Sequence, residues 1–153
     1  MAKLRGLLIG AAGGLAGAAL MSQSYKAVAK LMPKSGPGGE DATEKVANVV
    51  ATKFTGRKLG RTKKKMGGQI VHFAFGAGIG ALYGLFAERI PAIRGGGGTL
   101  LGTGLYLGAH GVTVPALGLA PSPVRNGALQ EGPEFAAHLV YGFVTETVRR
   151  LLS

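Results

Sequence analysis

Residues 67–87 read GGQIVHFAFGAGIGALYGLFA, with no Asp, Glu, Lys or Arg among them. A helix needs about 20 such residues to cross a hydrocarbon core of about 30 Å. Lipid offers the backbone no hydrogen-bond partner, so a segment of this kind satisfies itself as an α-helix. Gly76, Gly80 and Gly84 recur at every fourth position and share one face. In water each glycine weakens a helix by roughly 0.5–1 kcal/mol relative to alanine. In a bilayer the same stripe lets two helix backbones approach closely. The stretch predicts a membrane-spanning helix with a glycine packing face.

Three more segments resemble it: 6–25 (GLLIGAAGGLAGAALMSQSY), 99–119 (TLLGTGLYLGAHGVTVPALGL) and 135–152 (FAAHLVYGFVTETVRRLL). The last is interrupted by Glu146, Arg149 and Arg150, which reach the interface by snorkelling from its end. Gly6, Gly10, Gly14 and Ala18 give the first a small-residue face, and Gly104 and Gly108 do so in the third. The first two spans are expected to pack closely through Gly10, Gly14, Gly76, Gly80 and Gly84. The fold class is all-α. It is an integral membrane bundle of about four transmembrane helices in a single membrane domain, 1–153. Composition agrees: 46% of residues are hydrophobic and only 16% charged, against about 25% charged in soluble domains. That hydrophobicity excludes intrinsic disorder. The absence of cysteine excludes a disulfide framework, a cysteine zinc site and a cysteine nucleophile. Lys3 and Arg5 ahead of an apolar run also fit a signal peptide. A retained helix is favoured, because export would carry the following basic residues outside.

The net charge is +11, and eleven of the 18 basic residues fall between Lys26 and Lys65. A nucleic-acid surface would spread them over a soluble face, so no nucleic-acid partner is expected. Between apolar spans they read as a cytoplasmic loop. Within it, 33–39 is a breaker-rich turn. Asp41 and Glu44 then form a capping box opening a helix over 41–54. Val46, Val49, Val50 and Phe54 make its apolar stripe. Arg57, Lys58, Arg61, Lys63, Lys64 and Lys65 follow. An amphipathic helix with a polybasic tail lies on an anionic leaflet, the headgroups being the partner. Equally open is a connector folded back on the bundle. In an alternating four-span topology the loop side holds 12 basic residues and the other 6. The positive-inside rule then puts both termini outside.

The three histidines lie in three spans. At 1.5 Å per residue His72, His138 and His110 sit roughly 8, 5 and 14 Å from the same face, so they can meet in one layer. Glu134 is one turn before His138 and shares its face. Such a cluster suits a divalent metal, a proton relay or haem. Plain hydrogen bonding between helices is the leading reading, and no metal is assigned. Glu146 is a second candidate, with a salt bridge to Arg149 or Arg150 as the favoured alternative. Glu88 marks an interface. Pro115 is expected to kink the third span near His110. The run 95–98 lacks phosphate-loop spacing, and no catalytic constellation is visible.

The stretch HGVTVPALGLAP (110–121), the stretch EFAAHLV (134–140) with Glu146, Arg149 and Arg150, and Tyr83, Glu88 and Pro91 together resemble the YagU type of small bacterial inner-membrane proteins, a family of unknown function. The resemblance covers the second to fourth spans. It implies a helical inner-membrane protein with His110, Glu134, His138, Glu146 and Arg149 at motif positions. The basic loop departs from it. The expected function is therefore a multi-pass bacterial inner-membrane protein, non-enzymatic, accessory or structural or a membrane-stress factor. No cofactor is expected. Proton, ion or small-solute transport is one alternative, and metal or haem binding is the other. A homo-oligomer or a larger membrane complex stays open.

Overall fold

A computed structural model describes residues 2–31, 41–126 and 128–153. The elements are α1 (Ala2–Leu31), α2 (Ala42–Thr55), α3 (Arg61–Ala87), a 3₁₀ segment (Pro91–Gly98), α4 (Thr99–Tyr106), a π-helical stretch (Leu107–Thr113), α5 (Val114–Ala116), α6 (Pro123–Asn126) and α7 (Ala128–Leu152). Among the described residues there is no strand, so the chain is all-helical. The expected turn at 33–39 lies outside the described residues.

Helix α1 packs antiparallel to both α3 and α7, and three glycine seams set the layout. In the first, Gly6, Gly10 and Gly14 of α1 face Gly84, Gly80 and Gly76 of α3. A methyl group added to Gly80 would lie 2.7 Å from the Gly14 Cα, and one added to Gly84 2.8 Å from the Gly10 Cα. No real side chain tolerates such distances, so backbone rests on backbone. In the second, a methyl on Gly13 would lie 2.7 Å from the Thr145 carbonyl oxygen, and one on Gly17 2.8 Å from that of Tyr141. In the third, Gly98 and Gly102 meet Gly142 of α7. A methyl on Gly142 would lie 2.6 Å from the Gly102 nitrogen. Gly98 also needs φ of 98°, which a side chain disfavours, to turn the chain into α4 this close to α7. Gly104 and Gly108 do not pack as expected. A methyl on either meets nothing within 4 Å, because the α4 face that touches α7 carries Gly102 instead.

These seams leave the bundle inside-out. Its buried side chains are Ala18, Ala87, Ala137, Tyr83, Tyr106, Tyr141 and Thr145, among others. Its exposed ones include Leu8, Leu15, Ile70, Phe75, Leu82, Phe86, Leu100 and Phe143. Soluble proteins bury the large aliphatic residues. In lipid no hydrophobic force drives them inward, and small residues win the interior by permitting close contact. Two helices are long and apolar enough to cross a membrane: α1 over Lys3–Val28 and α3 over Arg61–Ala87. The third apolar segment is broken after Tyr106, and α7 carries Glu131, Glu134, Glu146, Arg149 and Arg150.

Element boundaries differ from the sequence expectation in several places, beginning with α1, which runs from Ala2 to Leu31 rather than over 6–25. Helix α3 starts at Arg61 rather than Gly67, so Arg61, Lys63, Lys64 and Lys65 ride on its first turns. Only Arg57 and Lys58 lie in the connection, after Gly56 ends α2 with φ of 68°. The capping box at Asp41 does not form. Asp41 is the N-cap residue but makes no side-chain cap bond, and the Glu44 side chain lies instead over Gly68 of α3. Helix α2 is folded back on α3 through Glu44 and Ala47, while Val49, Val50 and Phe54 face outward. The Leu59 N–H donates to Asn48 Oδ1 at 2.9 Å and closes the α2–α3 turn. Helix α7 begins at Ala128, before the expected 135. The third apolar segment is not one α-helix, for it runs as a π-helix from Leu107 to Thr113. Pro115 accounts for this. It has no N–H for the Gly111 carbonyl, and its ring crowds that carbonyl in α geometry. A wider turn relieves the clash, and Thr113 Oγ1 donates back to the Gly108 carbonyl at 2.9 Å.

Candidate functional site

The π-helical stretch decides where His110 points. It follows Tyr106 by four positions and stacks on that ring, with centroids 5.4 Å apart and planes at 14°. Tyr106 also meets His138 edge-on at 5.5 Å and Phe135 at 5.2 Å, and its hydroxyl donates to Glu131 Oε2 at 2.7 Å. The tyrosine thus holds both imidazoles from one side. The rings of His110 and His138 stand edge-to-face, 5.0 Å apart. Glu134 completes the group. One ligand atom from each of His110, Glu134 and His138 lies within 4.8 Å of the others. His138 is buried, and the other two are half-buried.

Hydrogen bonds fix the chemistry of these side chains. His138 Nδ1 is 2.7 Å from the Glu134 carbonyl oxygen. A carbonyl can only accept, so Nδ1 donates, and in the neutral ring Nε2 keeps its lone pair. Among the described residues, the His110 ring nitrogens and the Glu134 carboxylate have no hydrogen-bond partner. All three groups line an open-sided cavity of about 1640 Å³ walled by α1, α2, α3, α4 and α7. Apolar residues such as Phe75, Ile79 and Leu105 form its walls together with Tyr141 of α7. Two imidazoles and a carboxylate are ligands that suit a transition metal.

His72 does not join this group. Its Nε2 lies 3.1 Å from Ser22 Oγ and 3.2 Å from the Ala18 carbonyl, which ties α3 to α1 in the wall of the cavity. In the sequence only depth along a span groups it with the others. Depth says nothing of the direction in which a side chain leaves its helix.

Glu146 forms a second polar centre, of a different kind. It is 1% exposed, and its carboxylate accepts from every side. Tyr83 Oη donates at 2.7 Å, Arg149 through Nε at 2.7 Å and Nη2 at 3.0 Å, and Arg150 Nε at 2.6 Å. Both arginines pair with it, so its charge is balanced within the bundle. Glu88 caps the C-terminus of α3 in an exposed position. Arg57, Lys58, Arg61, Lys63 and Lys65 are exposed around the α2–α3 turn. Sequence reasoning missed Tyr106, Tyr141 and Thr145. The Tyr141 hydroxyl donates to the Gly76 carbonyl at 2.7 Å, and Thr145 Oγ1 to the Tyr141 carbonyl at 2.7 Å. Their signal was spacing: Tyr106 and His110, and Tyr141 and Thr145, each stand one turn apart on a helix face.

No curated protein and no solved structure matches the chain. A family model described as "Protein of unknown function (DUF1440)" matches residues 48–147. The matched span holds His72, His110, Glu134, His138 and Glu146 and leaves out α1 and Arg149. The fold and the polar layer described above are thus those of a chain that belongs to the DUF1440 family.

Proposed function

We propose that this chain is a multi-pass protein of the bacterial inner membrane with no enzymatic activity, an accessory or structural component of the bilayer. The observation that carries this reading is the inverted distribution of size and polarity. Glycine, alanine and bonded polar side chains fill the interior, and leucine, isoleucine and phenylalanine cover the outside. An apolar surface on that scale needs lipid or protein over it. In this reading α1, α3, the run from α4 to α5, and α7 each cross the bilayer. Helix α1 is retained, because two glycine seams make it the centre of the bundle. Val49, Val50 and Phe54 of α2 dip into the interface, and the basic residues from Arg57 to Lys65 meet anionic headgroups. The test is extraction of native membranes. The protein should resist alkaline carbonate and dissolve only in detergent, and reporter fusions should place the 26–65 loop in the cytoplasm. Release by carbonate would end this reading.

A second reading, movement of a proton or small solute, draws on the open-sided cavity that His110, Glu134 and His138 line. Flux into proteoliposomes, unchanged by His138→Ala, would remove it.

A further inference from the structure

We propose that His110, Glu134 and His138 form a binding site for one divalent first-row transition-metal ion of the zinc or iron(II) class. The proposal is independent of the membrane reading, since it rests on one set of three side chains.

Four observations carry it. First, the ligand atoms converge: one from each residue lies within 4.8 Å of the others. Around a bound ion with bonds of about 2.0–2.1 Å, neighbouring ligands stand about 3.3 Å apart. Small side-chain rotations close the difference. Second, His138 is set for ligation. Its Nδ1 donates to the Glu134 carbonyl, which fixes the tautomer of the neutral ring and leaves the Nε2 lone pair free. Metal-binding histidines characteristically anchor their second nitrogen this way. Third, these groups are unsatisfied where comparable ones are not. His72 has Ser22 and Ala18, and Glu146 has Tyr83, Arg149 and Arg150. Among the described residues, Glu134 and His110 have no such partner. A carboxylate beside apolar walls costs free energy until a cation or a proton meets it. Fourth, the local backbone departs from α geometry at this point. Single π turns recur at functional positions, and this one carries His110.

The ligand set narrows the metal. Imidazole suits zinc, copper, iron and nickel, whereas calcium and magnesium take oxygen donors. Three protein ligands leave a coordination position open, here toward the cavity, as in catalytic and transport sites rather than closed structural ones. Tyr106, stacked on His110 and edge-on to His138, is the positioning residue.

The experiment is a titration of detergent-purified full-length protein, made without a histidine tag, with Co²⁺. Its visible bands report nitrogen and oxygen ligation, and Zn²⁺ serves as competitor. One equivalent of Co²⁺ should bind and be displaced by Zn²⁺. His110→Ala and Glu134→Gln should each weaken binding by at least about 100-fold, with helical circular dichroism unchanged. His72→Ala should bind as the unaltered protein does. His138 is buried and its removal threatens the fold. The half-exposed His110 therefore carries the test. Absence of saturable binding, or equal affinity in His110→Ala and Glu134→Gln, overturns the proposal. Equal loss in His72→Ala overturns it as well.

Discussion

The His138 Nδ1 donates to the Glu134 carbonyl at 2.7 Å, one turn back on the same helix, and the ring so held stands edge-to-face with His110 of a different helix, centroids 5.0 Å apart. Two neighbours in sequence thereby organise a contact between remote segments. What brings His110 to meet them is Pro115. Replacing it with alanine restores a donor for the Gly111 carbonyl and removes the cause of the π turn. Each residue of register is worth about 100° of rotation on a helix. Pro115→Ala should therefore keep its helical circular dichroism but lose Co²⁺ affinity by 10-fold or more, about the effect of a lost positioning group. Unchanged affinity would mean that the π turn does not aim His110.

The glycine seam makes a sharper contrast, because Gly78 and Gly80 sit on the same helix. A methyl on Gly80 falls 2.7 Å from the Gly14 Cα, while one on Gly78 meets nothing within 4 Å. Gly80→Leu should destabilise the bundle by about 1–3 kcal/mol or more, the range for overpacking. Gly78→Leu should be neutral or mildly stabilising, since it adds a helix-favouring side chain on the open face. Unfolding in a series of SDS mole fractions, followed by circular dichroism, compares the two.

Glu146 should prove to be a structural group. Glu146→Gln leaves the buried Arg149 guanidinium without its counter-charge. Breaking one side of a buried pair costs about 3–5 kcal/mol. Glu88→Gln, at an exposed cap, should change stability by no more than about 0.5 kcal/mol. Thermal unfolding in detergent measures both. Equal melting temperatures would show that the Tyr83–Glu146–Arg149 group does not hold α7 to α3.

Much of this arrangement could be read from the chain, and the reasons are particular. The every-fourth-residue glycines of 6–14 and 76–84 share a face by helix geometry alone, and those faces meet. Glu146 with Arg149 and Arg150 is a local pair, fixed by i,i+3 and i,i+4 spacing. What escaped was set by contacts between remote segments. Gly102 rather than Gly104 or Gly108 meets α7, because the side of α4 that turns inward depends on the Gly95–Gly98 bend. Glu44 leaves its capping role because Gly68 opens a place for its stem. His72 shares a depth with His138 but leaves α3 toward Ser22.

In the proposed membrane reading this bundle turns its large apolar side chains toward lipid and its small ones inward. The chain contains no cysteine, so single cysteines carrying a nitroxide label can be placed without interference. Labels at Leu15, Leu82 and Leu100, all exposed, would be read in proteoliposomes for collision with oxygen, which favours lipid, and with a water-soluble nickel chelate. The account predicts strong oxygen and weak nickel collision at all three. Strong nickel collision there would place those faces in water and contradict it.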